Sequence, residues 1–476
     1  MLSEIHVYLA ILVTLAYLFL GKESLGHNKS GMISSFFCWV SNKVILAPIL
    51  GLVVLWVLPF GMALLGIDAS YQLTIESATG VIVNDIDLVV LILALAYLSI
   101  SLDESGFFEY ASVKIIKVSH GSGSKLLVNL FLLTSVLTYF TSNDIVIIAM
   151  TPIILYVSKH TGGHNAIPLL ISLFVGANTL SMGLYIGSPT NIVIGDAVGL
   201  SFIEYLKLML VPSIVAAITS LGMLYLIFVR FPISGNKIFH SYSLPLMDKH
   251  DKPTEIMLLK SFVFILCIII LSIVPSEVLQ IWEVCLSFAF IMFCIDMIYL
   301  WYIKKSLVLF VNKVTSKLPW EIAPFVISFF VLVNAMEGTT LSNETMSFVM
   351  YLFDQGLVYG VLGAGYLSAI SVNLMNDIPS TMFWANLLGN IQPQLTEQNF
   401  KVLIVAILIG VNPGCYLTII GALAGLMWIK IIGTSNVSKE LITPTAWDLT
   451  KYGSIILIPV LSITLLAVVV QAKYFY

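Results

Sequence analysis

Two near-copies of one polar signature lie in otherwise apolar sequence, about half a chain apart, and they require a fold built from two similar halves. Asn143-Asp144-Ile145 recurs as Asn376-Asp377-Ile378. A glycine and an asparagine follow each copy, as Gly176-Ala177-Asn178 and as Gly410-Val411-Asn412, and an Ile-Gly pair then ends at Gly187 and at Gly421. Corresponding residues are offset by 233 or 234 positions, the arithmetic of an internal duplication with a single one-residue slip. Polar, glycine-rich interruptions at matching places in two hydrophobic halves point to a binding site at the middle of a membrane.

The surroundings of the signature settle the class. With 59% hydrophobic and 10% charged residues and a mean hydropathy of +1.01, the chain has too little polar surface to face water on all sides. It reads as an all-α polytopic membrane protein with about ten spans, near 5–20, 44–66, 86–102, 167–195, 208–229, 260–274, 284–303, 320–336, 400–432 and 453–471. Such runs match the roughly 20 residues that cross a bilayer as a helix. The stretches 125–158 and 357–390 are interrupted near their middles by the Asn-Asp signature, and re-entrant hairpins are expected there; two thin spans each would leave the loop parity unchanged. The apolar residues run continuously instead of alternating, which argues against a strand barrel. Lys22, not a small-residue cleavage site, follows the first apolar run, so a retained span is expected.

Charge placement orients the spans. Of the 22 basic residues only Arg230 is arginine, and one topology collects all of them on one side except Lys207, Lys401 and Lys473. By the positive-inside rule that side is the cytoplasm. The N-terminus and the loops 67–85 and 338–356, which lack lysine and arginine, then face out, and the two halves enter the membrane in opposite senses. The expected order is scaffold helices over 1–83, a first repeat over 84–232, a cytoplasmic linker over 233–257, scaffold helices over 258–319 and a second repeat over 320–476. Broken helices are expected at 167–195 and 400–432, because Pro189 and Pro413-Gly414 disfavour continuous helix.

A carboxylate near mid-membrane costs about 2.5–3.5 kcal/mol even on the lenient insertion scale, so Asp144 and Asp377 need a polar reason to be there. Broken helices supply one, since their free amides and carbonyls point into a cavity where ions or substrate replace water. The candidate binding residues are Asn143, Asp144, Asn178, Thr179, Ser188, Thr190, Asn191, Asn376, Asp377, Asn412 and Thr418. The bland alternative, polar residues that only bond helices together, leaves the duplication and the two carboxylates unexplained. Asp296 has no counterpart in the first half and fits a local interhelical bond. Cys415 lies inside the second break, but one thiol is a poor chelator, so packing is its expected role. No metalloprotease, nucleophile-elbow or P-loop pattern occurs, and a catalytic role is not expected.

The motifs TSNDIVIIAMTP, IGSPTNIVIG, NLMNDIP and LTIIGALAGLMW resemble those of the ion transporter superfamily, which holds ArsB-type arsenite permeases, NhaD-type sodium/proton antiporters and citrate and dicarboxylate carriers. The resemblance runs from about residue 40 onward, and the segment Leu102-Asp-Glu-Ser-Gly-Phe-Phe-Glu-Tyr-Ala111 is most similar to the ArsB branch. It implies two inverted repeats working as an elevator-type carrier, in which hairpins and broken helices move against the outer helices. Carriers of dicarboxylates in this superfamily place neutral Ser-Asn-Thr at the hairpin tips. Asp144 and Asp377 stand there instead, and two carboxylates repel a bare dianion. The expected activity is therefore exchange of a small inorganic ion or an arsenite- or antimonite-like oxyacid with protons. Sodium/proton antiport and citrate or dicarboxylate transport are the alternatives. No cofactor is expected beyond H+ or Na+ as coupling ion, and no metal beyond a transported cation at Asp144 and Asp377. The lipid bilayer and the small solute are the expected partners, with no nucleic acid and room for a homodimer. A prokaryotic cell (inner) membrane is the expected location.

Overall fold

A computed structural model of the chain describes residues 4–20, 43–64, 69, 75–160, 165–232, 253–274, 278–303, 306, 310, 314, 318, 320, 322–435 and 440–475. Most of the expected 233–257 linker and Cys38 lie outside these residues, as do 67, 68 and 70–74 of the expected outward loop at 67–85, whose remainder from Ile75 is helix. The described helices are α1 (Ile5–Leu20), α2 (Lys43–Leu64), α3 (Ile75–Glu104), α4 (Phe107–Val118), α5 (Gly123–Phe140), α6 (Asn143–His160), α7 (Ile167–Leu180), α8 (Pro189–Ala197) and α9 (Phe202–Tyr225). They continue with α10 (Glu255–Ile273), α11 (Ile281–Tyr302), α12 (Ile322–Met336), α13 (Thr340–Asp354), α14 (Leu357–Met375), α15 (Asp377–Ile391), α16 (Glu397–Gly414), α17 (Leu423–Thr434) and α18 (Ala446–Phe475). The protein is an integral, multi-pass, all-helical membrane protein.

Seven of the described helices are long and apolar enough to cross a membrane, or eight counting one bent pair, against about ten expected; five of the seven fall on expected spans, and the other two, α5 and α14, are the first arms of the stretches where re-entrant hairpins are expected. The shortfall has local causes. The expected spans at 167–195 and 400–432 are each divided at a break, and the apolar parts described in α1 and α2, Ile5–Thr14 and Leu46–Pro59, are short. The expected span at 320–336 turns through 78° into α13, so the stretch 338–356, expected as an outward loop, is largely helical. Gly338 makes that turn at φ +73°, and Gly106 makes the equivalent one between α3 and α4 at φ +86°. Both lie in the left-handed region that a side chain disfavours. At the start of α13 the Thr340 amide donates to the Glu4 carboxylate at 3.1 Å, and the Leu341 amide donates to the Tyr8 hydroxyl at 3.2 Å. The first helix thereby satisfies amides that a helix start leaves unpaired.

Burial sorts the helices into centre and periphery. Every residue of α7 from Ile167 to Thr179 is buried, as is every residue of α16 from Val402 to Gly414. Helices enclosed on all sides belong at the centre. In contrast α10 exposes Phe262, Ile265 and Ile269, and α11 exposes Phe290, Ile298 and Trp301, the apolar faces that lipid covers. Inside a bilayer, small residues let helices approach closely. On α14, Gly365 and Ala369 meet Gly410 and Gly414 of α16, so closely that a Cβ built on Gly414 would lie 2.9 Å from the Ala369 Cα.

The first arm of each hairpin packs in its own half, α5 on α7 and α14 on α16. The second arms cross over. Helix α6 packs on α17, and α15 packs on α8, so each half's hairpin touches the short helix beyond the other half's break.

Candidate functional site

The hairpin tips are the junctions α5–α6 and α14–α15. At the first, the Asn143 amide nitrogen donates to the Asn178 side-chain oxygen on α7 at 3.0 Å, and the Asn143 side-chain oxygen accepts from the Asp144 backbone amide at 3.0 Å. At the second, Asn376 has φ +77° and ψ 163°, a conformation otherwise almost confined to glycine and costing about 1–3 kcal/mol. Such strain clusters at ligand clamps and switch regions. Asn143 has no such backbone, so the two tips are built differently.

Both aspartates sit in the first turn of a helix, Asp144 in α6 and Asp377 in α15. The positive end of the helix dipole favours a carboxylate there, which offsets part of the penalty of burial. The Asp377 carboxylate also accepts from the Ile378 amide at 3.0 Å. Cys415 donates to the Val411 and Gly421 carbonyls at 3.3 and 3.0 Å, the packed role expected of it.

Each break comes later than the glycines suggest. Gly176 and Asn178 are within α7 and Gly410, Asn412 and Pro413 within α16; the unwound stretches are 181–188 and 415–422. The asparagines stay helical by bonding back one turn, Asn178 to the Phe174 carbonyl at 2.9 Å and Asn412 to the Leu408 carbonyl at 3.0 Å. After the first break, Asn191 holds the unwound chain by donating to the carbonyls of Ser181 and Leu184 at 2.8 and 2.9 Å. Ser188 and Thr190 hydroxyls lie 2.9 Å apart.

The halves meet through these groups. The Asn412 amide donates to the Asn191 side-chain oxygen at 3.1 Å, and Thr190 donates to the Asn412 oxygen at 3.4 Å. Thr179 is hydrogen-bonded to the Tyr416 hydroxyl. Ten of the eleven candidate residues are buried and Thr418 is half-buried. Asn143 and Asn178 are joined, as are Ser188, Thr190, Asn191 and Asn412; Thr179 pairs with Tyr416. Thr418 pairs within its own half, donating to the Asn373 side-chain oxygen at 2.7 Å.

Asn373 and Tyr416 are the residues that sequence reasoning passes over. Asn373 donates to the Gly414 carbonyl at 2.8 Å and so bonds the end of α16 to the first arm of the second hairpin. Its signal was an amide three positions before Asn376 in an apolar arm. Tyr416 reads as one more aromatic in a hydrophobic run, and only the fold brings it to Thr179. Tyr416→Phe is expected to lower the unfolding free energy by about 1 kcal/mol, the worth of one buried hydrogen bond, measured by thermal unfolding of the purified protein; an unchanged midpoint would show the bond to be idle.

Buried, paired polar groups at two helix breaks and a carboxylate beside each hairpin tip, inside a multi-pass helical protein, fit a transmembrane transporter. The chain belongs to the citrate transporter family, whose family model matches residues 36–410. It is 27% identical over 390 residues to an "Arsenical pump membrane protein" of Escherichia coli, covering 80% of this chain and 86% of that one. The protein of the same description from Yersinia enterocolitica is 27% identical over 387 residues, covering 80% and 85%. A "46 kDa membrane protein" of Mycobacterium leprae is 23% identical over 400 residues, covering 82% and 87%. These relatives support the ArsB branch of the ion transporter superfamily.

Proposed function

We propose that this protein is a secondary active transporter that exchanges a small metalloid oxyacid, of the arsenite or antimonite kind, for protons. The observation that carries the reading is the pair of buried aspartates in the first turns of α6 and α15. A helix N-terminus is a ready anion site, and at each tip a side-chain carboxylate of the protein already occupies it. A free polycarboxylate would meet two negative charges where it needs positive ones. An uncharged trihydroxy acid meets hydroxyls and amides that can donate and accept, and each carboxylate can take up a proton in its place. The arsenical pump relatives support the same class of solute.

In this reading the halves are inverted repeats. The hairpins, α7, α8, α16 and α17 move as one body against the outer helices in an elevator-type cycle, in a prokaryotic inner membrane with the N-terminus outside. The crossed packing of α6 on α17 and α15 on α8 supports a single moving body, because neither hairpin can travel without the other half's short helix.

The test is flux into proteoliposomes carrying a pH-sensitive dye, challenged in turn with arsenite, antimonite, sodium, lithium and citrate. Arsenite or antimonite is expected to move protons. Proton movement driven by sodium, lithium or citrate, with none driven by the metalloids, would overturn the assignment.

A further inference from the structure

A cluster of buried charge lies apart from the tips. Lys260 on α10 and Asp296 on α11 form an ion pair of 2.5 Å, with side chains 4% and 2% exposed. The other Asp296 oxygen accepts from the Ser101 hydroxyl at 2.6 Å and from the Tyr97 hydroxyl at 3.0 Å, both on α3. Asp296 thus makes the interhelical bond expected of it, and more than one. Lys260, which charge counting assigns to a cytoplasmic end, is instead a buried helix residue.

The lysine does a second thing. At the end of α3 the Ser105 amide donates to Leu102 and the Gly106 amide to Asp103. The Ser101 carbonyl is left to accept from the Lys260 ammonium, at 2.9 Å. A cation at a helix C-terminus meets the negative end of the dipole. The network therefore caps α3 and ties it to both α10 and α11, with each ion paired as burial demands.

Tyr97 and Ser101 are four residues apart and share one face of α3. The helical period puts Ile92, Leu95 and Ala96 on the opposite face. Those three line one side of a cavity of about 20 Å³, and Ser142, Asp144 and Pro189 line another. That is room for one water molecule. Among the described residues no hydrogen bond or ion pair reaches the Asp144 carboxylate, so the α3 wall is what stands beside it.

We infer that Lys260 and Asp296 are positioning residues for transport: by clasping one face of α3, they hold its other face against the first tip. The inference rests on the reading that Asp144 serves transport. Its consequence is specific, because among the described residues the pair makes no hydrogen bond or ion pair to a tip or a break and is bonded instead to α3.

The test uses the full chain in proteoliposomes. Asp296→Asn alone strands the lysine charge and should cut folded yield severely. Lys260→Met with Asp296→Leu removes both charges and should restore yield to near wild type. If the pair positions α3, this double variant shows a half-saturation concentration for arsenite raised about fivefold with a smaller change in maximal rate. A disulfide between Ala96→Cys and Ser142→Cys, formed with iodine, should also appear several-fold more slowly in that background than in the otherwise wild-type chain. Wild-type half-saturation together with wild-type cross-linking would reduce the pair to a structural clasp and overturn the inference. Tyr97→Phe with Ser101→Ala loosens α3 while keeping the ion pair; it gives the same shifts in smaller measure, and decides the matter if the charge variants do not fold. Should the wild type move no metalloid, the transport reading falls while the cross-linking arm still judges the positioning of α3.

Discussion

Asp144→Asn and Asp377→Asn are each expected to abolish proton-coupled flux, by about a hundredfold or more, since a positioned proton-transfer group contributes at least that. Asparagine keeps the size of the side chain and much of its hydrogen bonding, but it cannot take up and release a proton. The folding energetics do not count against the variants. Losing the carboxylate forfeits about 0.3–1 kcal/mol of helix-dipole interaction and relieves about 2.5–3.5 kcal/mol of membrane burial. Both variants should therefore insert and purify like the parent, and any loss belongs to transport. Dye-reported proton movement against a metalloid gradient, measured beside insertion in the same vesicles, makes the comparison. Normal pH-dependent flux in both variants would end the proposal that these carboxylates couple transport to protons.

The second large effect separates two glycines that the sequence presents as equivalents. Gly410→Ala should cost about 3 kcal/mol, the upper end of overpacking penalties, which is about a hundredfold in the ratio of folded to unfolded protein. A methyl group there would overlap the Ser368 hydroxyl and the Gly365 carbonyl of α14, and it would sit 3.0 Å from the Ala369 amide nitrogen. Two of those three atoms are backbone and cannot swing aside. A methyl on Gly176 would meet the Phe131 ring at 3.3 Å and both the Phe131 carbonyl and the Ser135 hydroxyl at 3.4 Å, the carbonyl at ordinary contact distance and the two side chains free to adjust. Gly176→Ala should fold almost normally. Detergent-stable yield by size-exclusion chromatography compares the two; equal yields would show that α14 and α16 can separate without cost.

What could be read from the chain follows from how far each signal reaches. The class, the two halves and the places of the tips depend on long apolar runs and on a repeated pair of residues, signals written locally and in duplicate. The breaks lie beside the prolines, with Pro189 opening α8 and Pro413-Gly414 ending α16, while Asn178 and Asn412 bond back to their own helices and let the helix pass Gly176 and Gly410. The bend after Met336 escaped notice because Gly338 acts through a backbone angle that hydropathy does not register. The cross-half partners Thr190–Asn412 and Thr179–Tyr416 were individually visible or invisible for a common reason: pairing between residues more than two hundred positions apart is decided by packing. Asp296 was legible as an interhelical bond but its partners were not, since Lys260 reads as one more cytoplasmic lysine until α3 is brought against the pair.

The hydrogen bond between Asn191 and Asn412 has a practical consequence for anyone who would recombine this protein with a relative. The amide of one half is the solvent of the other. A chimera joined in the middle of the chain inherits two breaks that were shaped in different company, and an exchanged half will seat properly only when it brings a residue that can answer its new neighbour's amide. Compatibility of such hybrids is therefore read first at the crossing bonds Asn191–Asn412, Thr190–Asn412 and Thr179–Tyr416, before any span is compared.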